Sequence, residues 1–187
     1  MWFLRVIVLA LFASCFATMG DAVHKYTGTI GVPEIPFKYD VFPVFRMFVV
    51  AFISMGVGYF LLAKYLKVPL KIDESDQKGS LSPFIEALFT FMVVYFLSGF
   101  GHKENTLLAS IFFIGVIVRL AVTYDRIFMT LLVILIGFSG ACVEMLLKVA
   151  YTNPQINGVP FWLFGLYMHG AFALRAGMRL LVYDIKK

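Results

Sequence analysis

Six stretches of this sequence, each close to the length of a membrane crossing, are almost free of charge. They occupy residues 2–19, 41–63, 83–101, 106–124, 127–150 and 160–182. A hydrocarbon core about 30 Å thick needs roughly 20 apolar residues of helix to span it, so six such runs use most of a 187-residue chain. Backbone inside lipid finds no water, so each run must satisfy its own hydrogen bonds as a helix. The fold class expected is all-α: a polytopic membrane protein of about six transmembrane helices, one domain over residues 1–187. Composition agrees, since 14% of residues are charged against about 25% in an ordinary soluble domain.

The charges that remain set the orientation. Of 16 Lys and Arg residues, Lys25, Lys38, Arg46, Lys103 and Lys148 fall on one side of the six-span layout and the other eleven on the opposite side. The positive-inside rule then puts both termini in the cytoplasm. These cations flank helices and form no basic stripe, which removes nucleic acid as a partner and leaves headgroups. The membrane itself, bacterial inner membrane or endoplasmic reticulum, stays open. The first run has a second outline: Arg5, an apolar stretch and then Ala17 to Asp21 resemble a signal peptide. It lacks a clean small-x-small cleavage site, and the reading keeps it as a helix. Cys15 and Cys142 both sit in apolar runs, without metal-ligand spacing; they are expected to be small buried hydrophobes.

Ionisable groups inside a span are costly and mark places of interest. Five stand out: Glu86, Arg119, Glu144, Lys148 and His169. Glu144 and Lys148 are four apart, the spacing of an ion pair on one helix face, with Lys148 reaching the interface. His169 and Glu144 lie at similar depths on two helices joined by a short loop. They are expected either to meet in one pocket or, for His169, to bond a backbone carbonyl in the core. Arg175 and Arg179 are read as reaching for headgroups. No catalytic-triad, phosphate-loop or zinc-protease pattern occurs, and no cofactor is called for.

With the spans laid out, three landmarks stand in order: Val122-Thr123-Tyr124-Asp125-Arg126 at the end of the fourth span, Ala150-Tyr151-Thr152-Asn153-Pro154 before the last span, and Phe161-Trp162-Leu163 at its opening. On these, residues 40–187 resemble the insulin-induced-gene (Insig) family in a compact, prokaryote-like form, and the first is similar to that family's Trp-Thr-Phe-Asp-Arg. Ala150-Tyr151-Thr152-Asn153-Pro154 resembles its Tyr-Thr-Ser-Pro-Asp, and Phe161-Trp162-Leu163 resembles the opening of its last helix; Gly170 and Arg179 fall in register. Phe164 and Ala176 depart from the pattern, and Glu144 and His169 have no counterpart in it. The resemblance implies a non-enzymatic regulator. Animal members bind oxysterols and retain membrane-protein partners, and bacterial relatives form homotrimers around a lipid such as diacylglycerol. Asp125 matches an acidic residue used for partner binding, so Asp125 and Arg126 are expected to form a cytoplasmic contact patch. An interior lipid cavity for a sterol or diacylglycerol is expected to be walled by Glu144, His169, Tyr167 and Trp162. The rival reading is an integral membrane sterol or lipid isomerase using Glu144 and His169.

Overall fold

The computed structural model describes residues 2–31, 41–67, 81–123 and 125–182. Tyr124, and Lys38, Lys71, Lys78, Lys186 and Lys187 of the charge count, lie outside them. Six α-helices follow one another: α1 (Trp2–Tyr26), α2 (Val41–Tyr65), α3 (Leu81–Phe100), α4 (Asn105–Ala121), α5 (Arg126–Leu146) and α6 (Trp162–Gly177). The last continues without a break as a π-helical turn, Met178–Val182. Helices α1, α2, α3 and α5 are each long and apolar enough to cross a membrane. With its π turn, α6 extends to comparable length, whereas α4 is short at 17 residues. This is an all-α membrane-protein architecture.

Helix α6 is the centre of the bundle. Ten of its residues are buried, among them Leu163, Leu166, His169 and Phe172. It packs on α3, α4 and α5, while α1 closes against α2, α3 and the π turn. Large apolar side chains such as Val50, Phe89, Ile117, Phe138 and Leu146 point outward, which suits surfaces that meet acyl chains rather than water. Small residues set the close approaches. A methyl group added at Gly137 would come 2.6 Å from Met168 Cγ, and one at Gly140 would strike the Tyr167 ring. Those two glycines therefore let α5 lie flat on α6.

The end-to-end order follows from the contacts. Gly177 of α6 meets Leu9 and Phe84 at the starts of α1 and α3. His24 and Ser98, at the far ends of α1 and α3, lie beside Trp162 at the start of α6. Neighbouring spans alternate in direction, as short connections require.

Several boundaries differ from expectation, each for a physical reason. The first helix runs past residue 19 to Tyr26, because Asp21 and His24 find polar company at that end instead of water. Val6, Leu9, Ala10 and Ala17 are buried in the bundle, so α1 is part of the packing. The fifth helix stops at Leu146 rather than residue 150. Val149 N–H bonds the Glu144 carbonyl and Lys148 N–H bonds that of Met145, closing the helix with a left-handed residue in the Schellman pattern. That residue is Lys148, at φ 52°. Both cysteines are exposed on outward faces rather than buried.

Candidate functional site

An apolar cleft runs between α1, α2, α3, α5 and α6, a tight one of about 60 Å³ that is partly open to the outside. Its long sides are aromatic and aliphatic: Val6, Leu9 and Phe12 from α1, Phe48 and Phe52 from α2, Phe84 and Phe91 from α3, Leu174 from α6. Tyr95 and Tyr167 are also in its wall, toward the end where α3 stops and α6 begins. Rising about 1.5 Å per residue, the α3 wall from Phe84 to Tyr95 is about 16 Å long. The cleft is thus a narrow apolar slot with hydroxyls at one end.

Behind those hydroxyls lies a carboxyl group. The Tyr167 hydroxyl donates to Glu144 Oε1 at 2.5 Å. Tyr151 hydrogen-bonds the same carboxyl group from the loop after α5, and Asp21 is close enough to act on it electrostatically. Burial first, and the Glu144 charge second, push the Tyr151 phenol well above the ordinary tyrosine value, so Tyr151 stays a hydrogen donor. Its loop is held by a short bridge to the chain beyond α1. Gly31 N–H bonds the Ala150 carbonyl at 2.8 Å, and Thr152 N–H bonds the Thr29 carbonyl at 3.1 Å. The packed α5–α6 contact and this loop clamp together fix the three partners of the cluster.

The four residues expected to wall a single cavity divide. Tyr167 lines the cleft, and Glu144 is joined to it by the hydrogen bond above. Trp162 is 1% exposed and bonds away from the cleft, its Nε1–H donating to Asn105 Oδ1 at 2.8 Å. His169 faces α4: its Nε2 lies 3.0 Å from the Phe112 carbonyl and its Nδ1 lies 3.3 Å from Arg119 Nη1. A carbonyl only accepts, so Nε2 carries the hydrogen and Nδ1 receives the Arg119 N–H. Of the two outcomes expected for His169, the core histidine bonded to backbone is the one found. No hydrogen bond links it to Glu144.

A further expectation is corrected. Glu144 and Lys148 form no ion pair, because Lys148 has left the helix and is exposed while Glu144 turns to the tyrosines. Asp125 is part-exposed and ion-paired with Arg175 near the end of α6. Arg126 folds back over α4, its Nη2–H donating to the Ala121 carbonyl at 2.8 Å and its Nε–H to that of Thr123 at 3.3 Å. It caps a helix end whose last carbonyls lack partners and remains exposed.

Sequence reading passed over Asp21, His24, Tyr95, Ser98 and Tyr151. The His24 ring bonds Ser98 Oγ at 2.7 Å, and Ser98 Oγ–H returns to the Tyr95 carbonyl at 2.7 Å, so this pair ties α1 to α3 just beside the cluster. The available signal was the three-residue spacing of Asp21 and His24, which keeps both near one helix face beyond an apolar run. Among the described residues, no three His, Cys, Asp or Glu side chains converge as metal ligands would.

No family model, no curated protein and no solved structure matches this chain.

Proposed function

We propose that this integral membrane protein binds a lipid alcohol in the cleft between α1, α2, α3, α5 and α6, and acts as an Insig-like regulatory protein without catalysis. The observation that carries the reading is Tyr167. Its ring is part of the apolar wall and its hydroxyl is part of the polar cluster, so one side chain joins the two kinds of surface an amphiphile needs. A ligand hydroxyl at the tyrosine end can give and take hydrogen bonds, while its ring system or chain lies along Phe91, Phe84 and Leu174.

Apolar burial adds little selectivity here. The ligand leaves a bilayer, not water, and lipid tails are as apolar as the cleft. Discrimination therefore rests on shape and on the polar end. A sterol or a diacylglycerol fits this chemistry, and the resemblance to the Insig family favours both; assembly as a homotrimer and a membrane-protein partner belong to the same reading. Because Asp125 is ion-paired within the chain, a partner would meet the exposed Arg126 and the faces around it, or would have to displace Arg175.

Native mass spectrometry of the detergent-purified protein, followed by extraction and identification of retained lipid, tests the reading. One sterol or diacylglycerol per chain or per assembly supports it and reports the oligomeric state. A random phospholipid mixture removes the mechanism.

The isomerase reading keeps one observation in its favour, a carboxyl group hydrogen-bonded to a tyrosine of the apolar slot's wall. It loses the histidine it needed. Turnover of a sterol or isoprenoid by the purified protein, abolished in Glu144→Gln, would establish it over the binding reading.

A further inference from the structure

Arg119 is placed where a solvent-seeking arginine would not go. It lies two residues before the end of α4, on a helix that runs from the Trp162 end of the bundle toward the Asp125 end. Side chains on a helix lean toward its N-terminus, so Arg119 leans into the bundle. It is held there: Nη1–H donates to His169 Nδ1 at 3.3 Å, and the guanidinium carbon stands 4.1 Å over the Phe172 ring. His169 is itself anchored to the Phe112 carbonyl, seven residues back along α4. Both partners are neutral. No carboxylate among the described residues forms an ion pair with Arg119; Glu86 of α3 acts on it only through space, is exposed and forms no ion pair.

The helix that carries it is too short for an ordinary bilayer. Seventeen residues rise about 25 Å, against a hydrocarbon core of about 30 Å. The uncharged stretch 105–118 rises only about 21 Å, yet Ile111, Ile114, Ile117 and Val118 point outward to lipid. The bilayer must thin beside α4, or headgroups must descend to meet Arg119. A fixed guanidinium with only neutral partners, at the end of a short lipid-facing helix, favours an anionic group drawn down to it. The exposed Arg126 lies one turn beyond α4 and adds a second positive charge at that end.

We infer that the Arg119 end of α4 is a binding site for the phosphate of an anionic phospholipid, separate from the cleft, with His169 and Phe172 as the residues that position the guanidinium. The proposal does not depend on what the cleft binds.

The test uses the full chain in detergent and native mass spectrometry. Dioctanoyl-phosphatidylglycerol, dioctanoyl-phosphatidylcholine and inorganic phosphate are each titrated at matched concentrations. The expected result is one phosphatidylglycerol retained per chain where phosphatidylcholine and phosphate are not retained. Arg119→Gln should weaken it about tenfold, the scale of a lost charge-assisted hydrogen bond. Unchanged retention in Arg119→Gln, or equal retention of the two phospholipids by the unaltered protein, overturns the site. Competition by inorganic phosphate at equal concentration overturns the lipid assignment in favour of a free anion. Should Arg119→Gln fail to fold, the comparison of the three ligands on the unaltered protein still decides.

Discussion

The Tyr167 hydroxyl donates to Glu144 Oε1 at 2.5 Å, across the contact where Gly140 leaves room for the tyrosine ring. The pair stands where an apolar slot meets a group of tyrosines. Two features of the sequence make it: an acid two residues before the end of α5, and a tyrosine five residues into α6, brought level by a loop that returns α6 alongside α5.

Gly140→Ala should disturb that pair first. The added methyl would strike the Tyr167 ring, and overpacking of this kind costs about 1–3 kcal/mol. Thermal unfolding in detergent should show the loss, with weaker lipid retention than an equally destabilised variant far from the cleft.

Trp162→Phe separates anchor from ligand group. It removes the indole N–H that bonds Asn105 and leaves a part-buried acceptor unpaired, a loss of about 1–3 kcal/mol. Lipid occupancy of the folded fraction should be unchanged, because Trp162 lies outside the cleft wall. A drop in occupancy with no loss of stability would contradict this placement.

The Asp125–Arg175 pair should behave as structure. Both side chains are partly exposed, at 31% and 18%, so screening reduces the 3–5 kcal/mol expected for breaking a fully buried pair to about 1–2 kcal/mol. Asp125→Asn should lower the unfolding temperature, and a double-mutant cycle with Arg175→Gln should show coupling. Arg126→Gln, which loses only exposed caps, should cost less.

Tyr151 gives a pH signature. Its raised phenol value means that the unfolded chain loses this proton before the folded one does. The contribution is complete below the ordinary tyrosine value of about 10, and stability falls as pH rises above it. Ultraviolet titration of the folded protein should show fewer phenols ionising above pH 10 than after denaturation. Tyr151→Phe should narrow that difference by one phenol.

Lys148→Gly should stabilise the end of α5. A lysine at φ 52° carries strain that glycine avoids, and relief of about 0.5–1 kcal/mol is expected. The Glu144 environment should not change, because Lys148 does not pair with it.

The spans were legible because a membrane imposes one rule on long apolar runs. All six helices of the described residues begin within two residues of where hydropathy put them. The ends were less legible. Residues 20–26 look like a loop by hydropathy, but His24 bonds Ser98 of α3 and Asp21 stands near the Glu144 carboxyl, neighbours that only tertiary packing supplies. Lys148 reads as one more helical residue, since nothing local marks a left-handed lysine. The cleft was half legible. Depth along the helices set Glu144 level with His169, and the residue it meets is Tyr167, two positions earlier. Rotation about α6 was not readable: Tyr167 and His169 are adjacent in depth yet face different helices. Asp125 was singled out by its match to the Insig pattern, and the sequence could not show Arg175 reaching it from fifty residues away.

The most direct measurement is lipid occupancy of the cleft itself, by native mass spectrometry, in the unaltered protein, in Ala13→Phe and in Tyr167→Phe. Ala13 lines the slot away from the polar end, so a phenyl group there fills it and leaves the tyrosine–glutamate cluster intact. The account predicts one retained lipid alcohol per chain or assembly in the unaltered protein, none in Ala13→Phe, and retention weakened up to about tenfold in Tyr167→Phe, the worth of one hydrogen bond. The same lipid held equally by all three proteins would contradict it.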